Sequence, residues 1–270
     1  MFSSPLQSHT DVETASVRGY TMQDAQWAGY AVSSAAGFDG TGALNFMVSL
    51  PAWDDYAGVV AMYGEDLDGT AYLDAGGYYI AAIVSEDSGD WFGRDVNSLG
   101  DSDADGYGEI LVGAYLAAAG SPLTGGIDGG AVYLFDGPYV DDDGEEPFGY
   151  NYNADTIFYA QDANDQLGAA VAGVSDVNGD GLSDWLMGAP YADDAAVDYG
   201  AAYLFFGPHS TGESVSSSSA DVIFVGGEQY SGFGEALAEY GDVNGDGYGD
   251  IGVTAQWTGG VTDGEGAVFV

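Results

Sequence analysis

The feature that most constrains the fold of this chain is an internal repeat. A loop begins eight residues after each of four glycines, and a short punctuating tripeptide begins twenty residues after each. Successive glycines are 64, 75 and 66 residues apart: Gly29, Gly93, Gly168 and Gly234. Because both offsets are constant in all four copies, the chain must contain one structural unit that recurs.

Each unit is predicted to contain four short strands. A closing strand follows a loop of variable length, at 58–63, 130–135, 200–205 and 266–270. An opening strand is clearest at 154–158 and 220–224, with weaker counterparts at 12–17 and 78–84. One such sheet is too small to bury both of its faces, and stacking copies around an axis solves this problem. This arrangement is a β-propeller. A β-sandwich with an accidental repeat is the alternative.

We therefore expect an all-β fold, a β-propeller-like array of four repeats in which each repeat is a four-stranded antiparallel blade. Hydrophobic residues make up 46% of the chain and glycine contributes 45 residues, which suits many short strands joined by tight turns. Residues 1–270 are predicted to form one domain, with repeat units at roughly 12–64, 76–137, 154–207 and 220–270.

The charge balance excludes several classes of partner. The chain has 44 acidic residues against two arginines and no lysine, for a net charge of −42. Nucleic acid is an improbable partner because binding to phosphate depends on Lys and Arg, and anionic membrane surfaces are disfavoured for the same reason. No apolar stretch approaches the roughly 20 residues that span a bilayer, and no signal peptide is visible at residues 1–10. The absence of cysteine excludes disulfides and thiolate metal sites.

Three of the four repeats carry an acidic loop, at 101–109, 176–184 and 242–250. Each loop has oxygen-bearing side chains at positions 1, 3, 5 and 9, and glycine at position 6. Alternate side chains converge when the backbone curls, and the carbonyl group at position 7 can face the same centre. The predicted metal ligands are Asp101, Asp103, Asp105, Tyr107 and Glu109; Asp176, Asn178, Asp180, Leu182 and Asp184; and Asp242, Asn244, Asp246, Tyr248 and Asp250.

Calcium is the ion that these loops suit best, and three sites are expected. Ca²⁺ accepts six to eight oxygens in flexible geometry, whereas Mg²⁺ demands a strict octahedron. The loops are not EF-hands, because position 12 is Val112, Met187 or Val253 rather than glutamate. Plain Asp-Gly turns are the alternative interpretation. The first repeat has only one carboxylate at the corresponding positions, Asp39, and is predicted to keep its fold without an ion.

These motifs together resemble the FG-GAP repeats of the integrin α-chain β-propeller. The matching residues are Phe92-Gly93, Leu167-Gly168 and Phe233-Gly234, the three acidic loops, Gly188-Ala189-Pro190, and the stretch from Gly130 to Phe135. The resemblance implies blades with calcium in hairpin loops on one face, an extracellular or cell-surface location, and adhesive or structural roles. Such propellers usually have seven blades. The four repeats therefore close a small ring, belong to a larger propeller, or are completed by neighbouring chains.

The predicted function is a calcium-binding extracellular structural or adhesion module with protein partners, including self-assembly into an oligomer or filament. The alternative is a carbohydrate-binding or carbohydrate-processing propeller. No enzyme activity is expected, because the chain lacks cysteine and lysine and neither histidine lies in a recognisable catalytic motif. Tyr133, Tyr203 and Phe269 are predicted core residues. Trp53 and Trp257, near the variable loops, are the predicted exposed aromatic contacts.

Overall fold

A computed structural model describes residues 17–20, 27–38, 40, 45–63, 69–72, 81–85, 87–118, 129–138, 148–150, 153–193, 198–208, 212–258 and 265–270. The regular elements of these residues are mainly strands, joined by turns and loops; they also include one helical turn, α1 (Trp53–Tyr56), and a 3₁₀ turn at Ser217–Ser219. In chain order the strands are β1 (Val17–Tyr20), β2 (Val32–Ser34), β3 (Phe46–Leu50), β4 (Val59–Tyr63), β5 (Gly69–Tyr72), β6 (Ala81–Val84), β7 (Asp95–Gly100), β8 (Glu109–Ala114), β9 (Ala131–Phe135), β10 (Phe148–Tyr150), β11 (Thr156–Tyr159), β12 (Ala170–Val174), β13 (Asp184–Ala189), β14 (Ala201–Phe205), β15 (Glu213–Ser216), β16 (Val222–Val225), β17 (Phe233–Gly241), β18 (Asp250–Thr258) and β19 (Glu265–Phe269).

Most of the strands form four blade-like sheets, which follow the order of the four repeats. The first three have an antiparallel core of four strands, in the orders β2-β3-β4-β6, β7-β8-β9-β11 and β12-β13-β14-β16. The fourth contains β17, β18 and β19 in the part of the chain described. Strands β10 and β15 add in parallel to the first and second sheets, and β1 pairs with β5 in a separate two-stranded sheet. The predicted all-β fold of propeller-like blades is confirmed.

The strands of one sequence repeat do not all belong to one sheet, because the boundary between repeats and the boundary between sheets differ by one strand. The predicted opening strands at 154–158 and 220–224 correspond to β11 and β16, and each pairs with the closing strand of the preceding unit, β9 or β14. Strand β6 joins β4 in the same way. The last antiparallel strand of each of these three sheets therefore comes from the beginning of the next unit. Residues 12–16 of the first predicted opening strand lie outside the described residues.

Three apolar cores lie between consecutive sheets. The first packs Met47, Val60 and Ile83 against residues of the second sheet such as Phe92 and Ile110. The second joins Leu111 and Phe158 to Trp185, Met187 and Tyr203, and the third joins Leu186 and Leu204 to Phe233 and Val253. Burial of this kind is the main favourable term in folding. Sheets of four short strands therefore depend on their neighbours for stability.

Side chains of one sheet also bond to the backbone of the next. Asp95 Oδ2 accepts a hydrogen bond from Val171 N at 2.9 Å, and Asn97 Oδ1 accepts one from Gly173 N at 3.2 Å. The edge strands β7 and β12 are thus joined by polar as well as apolar contacts. Between the third and fourth sheets, a Cβ on Gly188 would lie 2.0 Å from the Gly234 carbonyl oxygen, so only glycine allows this close approach.

Of the five predictions for aromatic residues, three are confirmed and two are wrong. Tyr133 and Tyr203 are buried core residues, as predicted. Phe269 is 49% exposed even though its ring contacts Phe233, so its prediction as a core residue was wrong. Trp53 is only partly exposed and packs on an apolar cluster of the first sheet, so its prediction as an exposed contact was also wrong. Trp257 is exposed, as predicted.

Candidate metal centres

The three acidic loops occupy the same place in three consecutive sheets. Each joins an edge strand of its sheet to the neighbouring strand: β7 to β8, β12 to β13, and β17 to β18. Position 9 of each loop is the first residue of the second strand, so its carboxylate is held by the sheet while positions 1 to 8 form the connecting turn. Neighbouring loops are in contact, since Gly249 N donates to the Asp176 carbonyl oxygen at 3.0 Å.

One hydrogen-bond framework recurs in all three loops. The N–H at position 6 donates to the carboxylate at position 1, and the N–H at position 5 donates to the side-chain oxygen at position 3. The N–H at position 7 donates to the carboxylate at position 5, and the N–H at position 2 to the carboxylate at position 9. Glycine is required at position 6, where φ is +98°, +92° and +96°.

The first acidic loop gathers four carboxylates. Asp101, Asp103, Asp105 and Glu109 each offer an oxygen, and these four oxygens lie within 4.8 Å of one another. Among the described residues, no other group of three or more potential acidic, histidine or cysteine ligands is this close. Four like charges at such distances repel strongly unless a cation or protons neutralise them. The arrangement therefore suits a hard divalent cation.

Glu109 is the buried member of this group. Only 1% of its surface is exposed, and its Oε2 accepts hydrogen bonds from the backbone N–H and the hydroxyl of Ser102, the latter at 2.7 Å. Its other oxygen, Oε1, is buried and has no hydrogen-bond partner among the described residues. Burial raises the pKa of Glu109 to about 7; the hydrogen bonds from Ser102 oppose this rise, and the charges of Asp103 and Asp136 add to it.

In the second loop the carboxylate at position 9 is fully satisfied. Asp184 is buried, its Oδ2 accepts from Val177 N at 2.9 Å, and its Oδ1 accepts from Gly207 N at 3.0 Å. Burial raises the pKa of the Asp184 carboxyl against the lowering effect of those two hydrogen bonds. For Asp176, burial would raise the pKa, but backbone N–H groups of the loop, led by Gly181, together lower it.

The second and third loops have asparagine at position 3, and this residue changes the hydrogen bonds between their side chains. Asn178 Nδ2 donates to Asp180 Oδ2 at 2.9 Å, and Asn244 Nδ2 donates to Asp250 Oδ1 at 3.3 Å. In each of these two loops the asparagine amide donates a hydrogen bond to a carboxylate. A carboxylate at position 3 would instead place two negative charges next to each other. Most of the third loop is exposed, whereas the second loop is partly covered.

Position 7 was predicted to contribute a backbone carbonyl, and the side chains there have a separate role. The Tyr107 ring lies 2.5 Å from where a Cβ on Gly40 would be, and the Tyr248 ring lies 2.7 Å from the corresponding point on Gly179. Each tyrosine therefore covers the loop of the preceding sheet. The expected participation of Tyr107, Leu182 and Tyr248 in metal binding stays a prediction.

The loop of the first repeat is described only in part, since residues 39 and 41–44 lie outside the described residues. Asn45, at position 9, is 4% exposed, and neither polar atom of its amide has a hydrogen-bond partner in the described part. Asn45 therefore occupies the same buried position as Glu109 without its charge.

An aromatic group on the first two sheets was not predicted. Trp27 stacks on Tyr30 and Tyr56 stacks on Trp91, with ring centroids 6.0 and 5.0 Å apart. Trp27, Tyr30 and Tyr56 are 45%, 42% and 41% exposed. The only sequence signal for this group is the tryptophan two residues before the repeat glycine, which occurs in the first two repeats and is replaced by glutamine and glycine in the others.

Arg94 connects this group to the fourth sheet. Its guanidinium carbon lies 5.2 Å from the Tyr30 ring centroid and 5.5 Å from that of Tyr115, and its Nη2 lies 3.4 Å from Glu235 Oε1. Tyr30, Arg94 and Glu235 each follow a repeat glycine directly, so equivalent positions of three sheets converge. No helix in the described part of the chain has the length and apolar character needed to cross a membrane.

The site and the fold thus define a protein built from blade-like repeats with acidic hairpin loops. Comparison with known proteins finds similar sequences among the integrin α chains. Over 109 residues the chain is 39% identical to mouse integrin alpha-IIb, an alignment of 38% of this chain and 10% of the integrin. Over 227 residues it is 27% identical to Drosophila melanogaster integrin alpha-PS5, covering 83% of this chain and 20% of that protein.

Human integrin alpha-IIb is 40% identical over 112 residues, covering 38% of this chain and 10% of that protein. In these alignments the chain spans only a tenth to a fifth of its relatives' length. No known family profile matches the chain. The predicted resemblance of the repeats to the integrin α chain is confirmed.

Proposed function

We propose that this chain is a calcium-binding extracellular module with adhesive or structural function, and that each acidic loop binds one Ca²⁺. The observation that carries the proposal is the first loop, where four carboxylates converge and the buried Oε1 of Glu109 has no hydrogen-bond partner among the residues that the structure describes. Burying an unpaired carboxylate is costly unless a cation or a proton compensates. A Ca²⁺ ion would accept this oxygen together with Asp101, Asp103 and Asp105.

The shared hydrogen-bond framework extends the proposal to the second and third loops. The same backbone groups fix the side chains at positions 1, 3, 5 and 9 in all three loops, so a ligand set that suits one loop suits the others. Those two loops would offer three carboxylates and one amide oxygen each, from Asp176, Asn178, Asp180 and Asp184 and from Asp242, Asn244, Asp246 and Asp250. We expect weaker binding there because one ligand charge is missing.

Calorimetric titration of the full chain with Ca²⁺ tests this proposal. We expect three binding events, and the double variant Asp101→Asn/Asp103→Asn should lose one of them because two of the first loop's charges are gone. Asp55→Asn is the matched control: Asp55 is exposed, lies outside the loops and has a left-handed φ of +55° that asparagine tolerates. Unchanged stoichiometry in the double variant would refute the assignment of the first site.

The adhesive and extracellular role rests on the similarity to integrin α chains. We infer that the partners are proteins and that the chain is not an enzyme. Residues 1–270 would then form one domain whose repeat units begin near residues 12, 76, 154 and 220.

Self-assembly is part of the proposal: β19 presents exposed Val268 and Phe269, and exposed strand edges favour pairing between chains. Light scattering at high concentration, with Ca²⁺ and with chelator, tests this, and a monomer in both conditions would reject it.

Carbohydrate binding is the second candidate function, favoured by the exposed rings of Trp27, Tyr30 and Tyr56. Aromatic faces can stack on sugar rings, and the net charge of −42 disfavours acidic glycans as ligands. A glycan array probed with the full chain, and with Trp27→Ala as the matched variant, separates the two functions. Binding that the variant loses would support the second candidate, whereas no binding to any glycan would remove it.

A further inference from the structure

The second and third acidic loops each contain an Asn-Gly step, at Asn178-Gly179 and Asn244-Gly245. The first loop has Asp103 and Ala104 at the same positions. A glycine after asparagine leaves its backbone nitrogen free of Cβ hindrance, so that nitrogen can attack the asparagine side-chain amide. We propose that Asn244, and more slowly Asn178, are sites of spontaneous deamidation.

The loop framework places groups that assist this reaction. Gly245 N, the attacking nitrogen, donates to Asp242 Oδ1 at 2.6 Å, so a carboxylate is in position to accept its proton. Asn244 Oδ1 accepts a hydrogen bond from Asp246 N at 2.9 Å, and this donor would stabilise negative charge that develops on the oxygen. The second loop repeats both contacts, from Gly179 N to Asp176 Oδ1 at 2.5 Å and from Asp180 N to Asn178 Oδ1 at 2.8 Å.

The chemistry requires no reagent besides water. The glycine nitrogen forms a bond to the asparagine Cγ and gives up its proton to the neighbouring carboxylate. The bond from Cγ to the side-chain nitrogen breaks, and the nitrogen leaves as ammonia after it takes up a proton. Water then opens the resulting succinimide at one of its two carbonyl groups. The product is aspartate or isoaspartate, and the balance is one water consumed for each ammonia released.

The two sites differ in how well they are covered. A Cβ built on Gly245 has no atom within 4 Å among the described residues, whereas one on Gly179 meets the Tyr248 ring at 2.7 Å. Asn244 is also more exposed than Asn178. Because the succinimide forms only if the backbone rearranges locally, the Tyr248 ring should slow the reaction at Asn178. This difference gives the predicted order of modification.

Deamidation to aspartate would change the chemistry of the loops. Asn178 Nδ2 now donates to Asp180 Oδ2, and an aspartate at position 178 would bring two like charges together there. The second and third loops would then carry four carboxylates, the set present in the first loop as Asp101, Asp103, Asp105 and Glu109. Tighter Ca²⁺ binding would follow; this consequence rests on the proposed function, but the deamidation itself does not.

The test is time-resolved peptide mass spectrometry of the full chain, kept at neutral pH with chelator, combined with isoaspartate labelling. We expect modification at Asn244 first, at Asn178 next, and at the strand residue Asn97 least. Gly245→Ala should slow the reaction at Asn244 by about tenfold. Alanine is acceptable there because Ala104 adopts a φ of +66° at the equivalent position and because the space around Gly245 is open. Tyr248→Ala should speed the reaction at Asn178.

Equal modification of Asn244 and Asn97 in the wild-type chain would overturn the proposal, and so would an unchanged rate at Asn244 in Gly245→Ala. Circular dichroism before incubation confirms that each variant is folded, so that a slow rate is not confused with misfolding. Calorimetry on the fresh chain is independent of this result. Deamidation without any Ca²⁺ binding would leave the modification standing and would reject the calcium function.

Discussion

Saturating Ca²⁺ should raise the midpoint of thermal unfolding by a large margin. A ligand present at a hundred times its Kd and bound only by the native state adds about 2.7 kcal/mol per site. For a chain of this size each kcal/mol moves the midpoint by about 2–4 °C, so each occupied loop should raise it by about 5–10 °C. We expect native-state binding because the first loop alone brings four carboxylates together. Scanning calorimetry with Ca²⁺ and with chelator measures the shift.

The control for this experiment is ionic strength. A chain with a net charge of −42 is stabilised by any salt that screens its self-repulsion. NaCl of equal ionic strength, and MgCl₂ at the Ca²⁺ concentration, must therefore be run in parallel. A midpoint that rises equally in all three salts would show screening without specific calcium sites.

Glu109→Gln should have opposite effects on the stability of the folded chain with and without calcium. In chelator above pH 7 the variant should be more stable than the wild type by about 3 kcal/mol, because it lacks a buried charge whose pKa is raised from 4.5 to about 7. The glutamine oxygen can accept the Ser102 hydrogen bonds, and its NH₂ group takes the place of Oε1, which has no partner in the described part of the chain. In Ca²⁺ the variant should lose the stabilisation that the first loop provides.

The pH dependence of the wild type in chelator follows from the same group. Because the folded-state pKa of Glu109 is raised, this side chain binds more protons in the native than in the unfolded chain between pH 4.5 and about 7. The contribution of Glu109 to the free energy of unfolding is complete below pH 4.5 and is lost as the pH rises through 7. Urea unfolding at several pH values should show this loss in the wild type but not in Glu109→Gln. Parallel curves for the two proteins would contradict it.

Asp184→Asn is the matched comparison at the same position of the second loop. Both Asp184 oxygens accept backbone hydrogen bonds, from Val177 and Gly207, so an amide must direct its NH₂ group at one of these donors. We expect destabilisation of about 1–3 kcal/mol even in chelator. Stabilisation by both substitutions would indicate a general effect of removing negative charge.

The repeat predicted the sheets well because its constant offsets reflect packing that every unit shares. The closing strands, predicted at 58–63, 130–135 and 200–205, are β4, β9 and β14, whose side chains are buried throughout. Pairing between units was harder to predict, because the opening strands carry no signal for which sheet they join. Phe269 was assigned to the core by analogy with Tyr133 and Tyr203, but its strand β19 is largely exposed.

The candidate site was predictable as a pattern of residues but not as an environment. Positions 1, 3, 5 and 9 could be read directly from the acidic loops. The burial of Glu109 and the hydrogen bonding of its two oxygens depend on Ser102 and on the packing of β8. Spacing does not reveal such features. The group of Trp27, Tyr30, Tyr56 and Trp91 escaped prediction because its members come from separate turns of two sheets.

The offset between sequence repeat and sheet affects the order in which the chain can fold as it leaves the ribosome. The second sheet gains its outer antiparallel strand only after β11 has been synthesised, and the third must wait for β16. Each nascent sheet therefore keeps an open edge until translation has entered the next unit. A fragment cut at a boundary between repeats would leave one sheet without its outer strand, so single units should not be exchangeable between such proteins as independent modules.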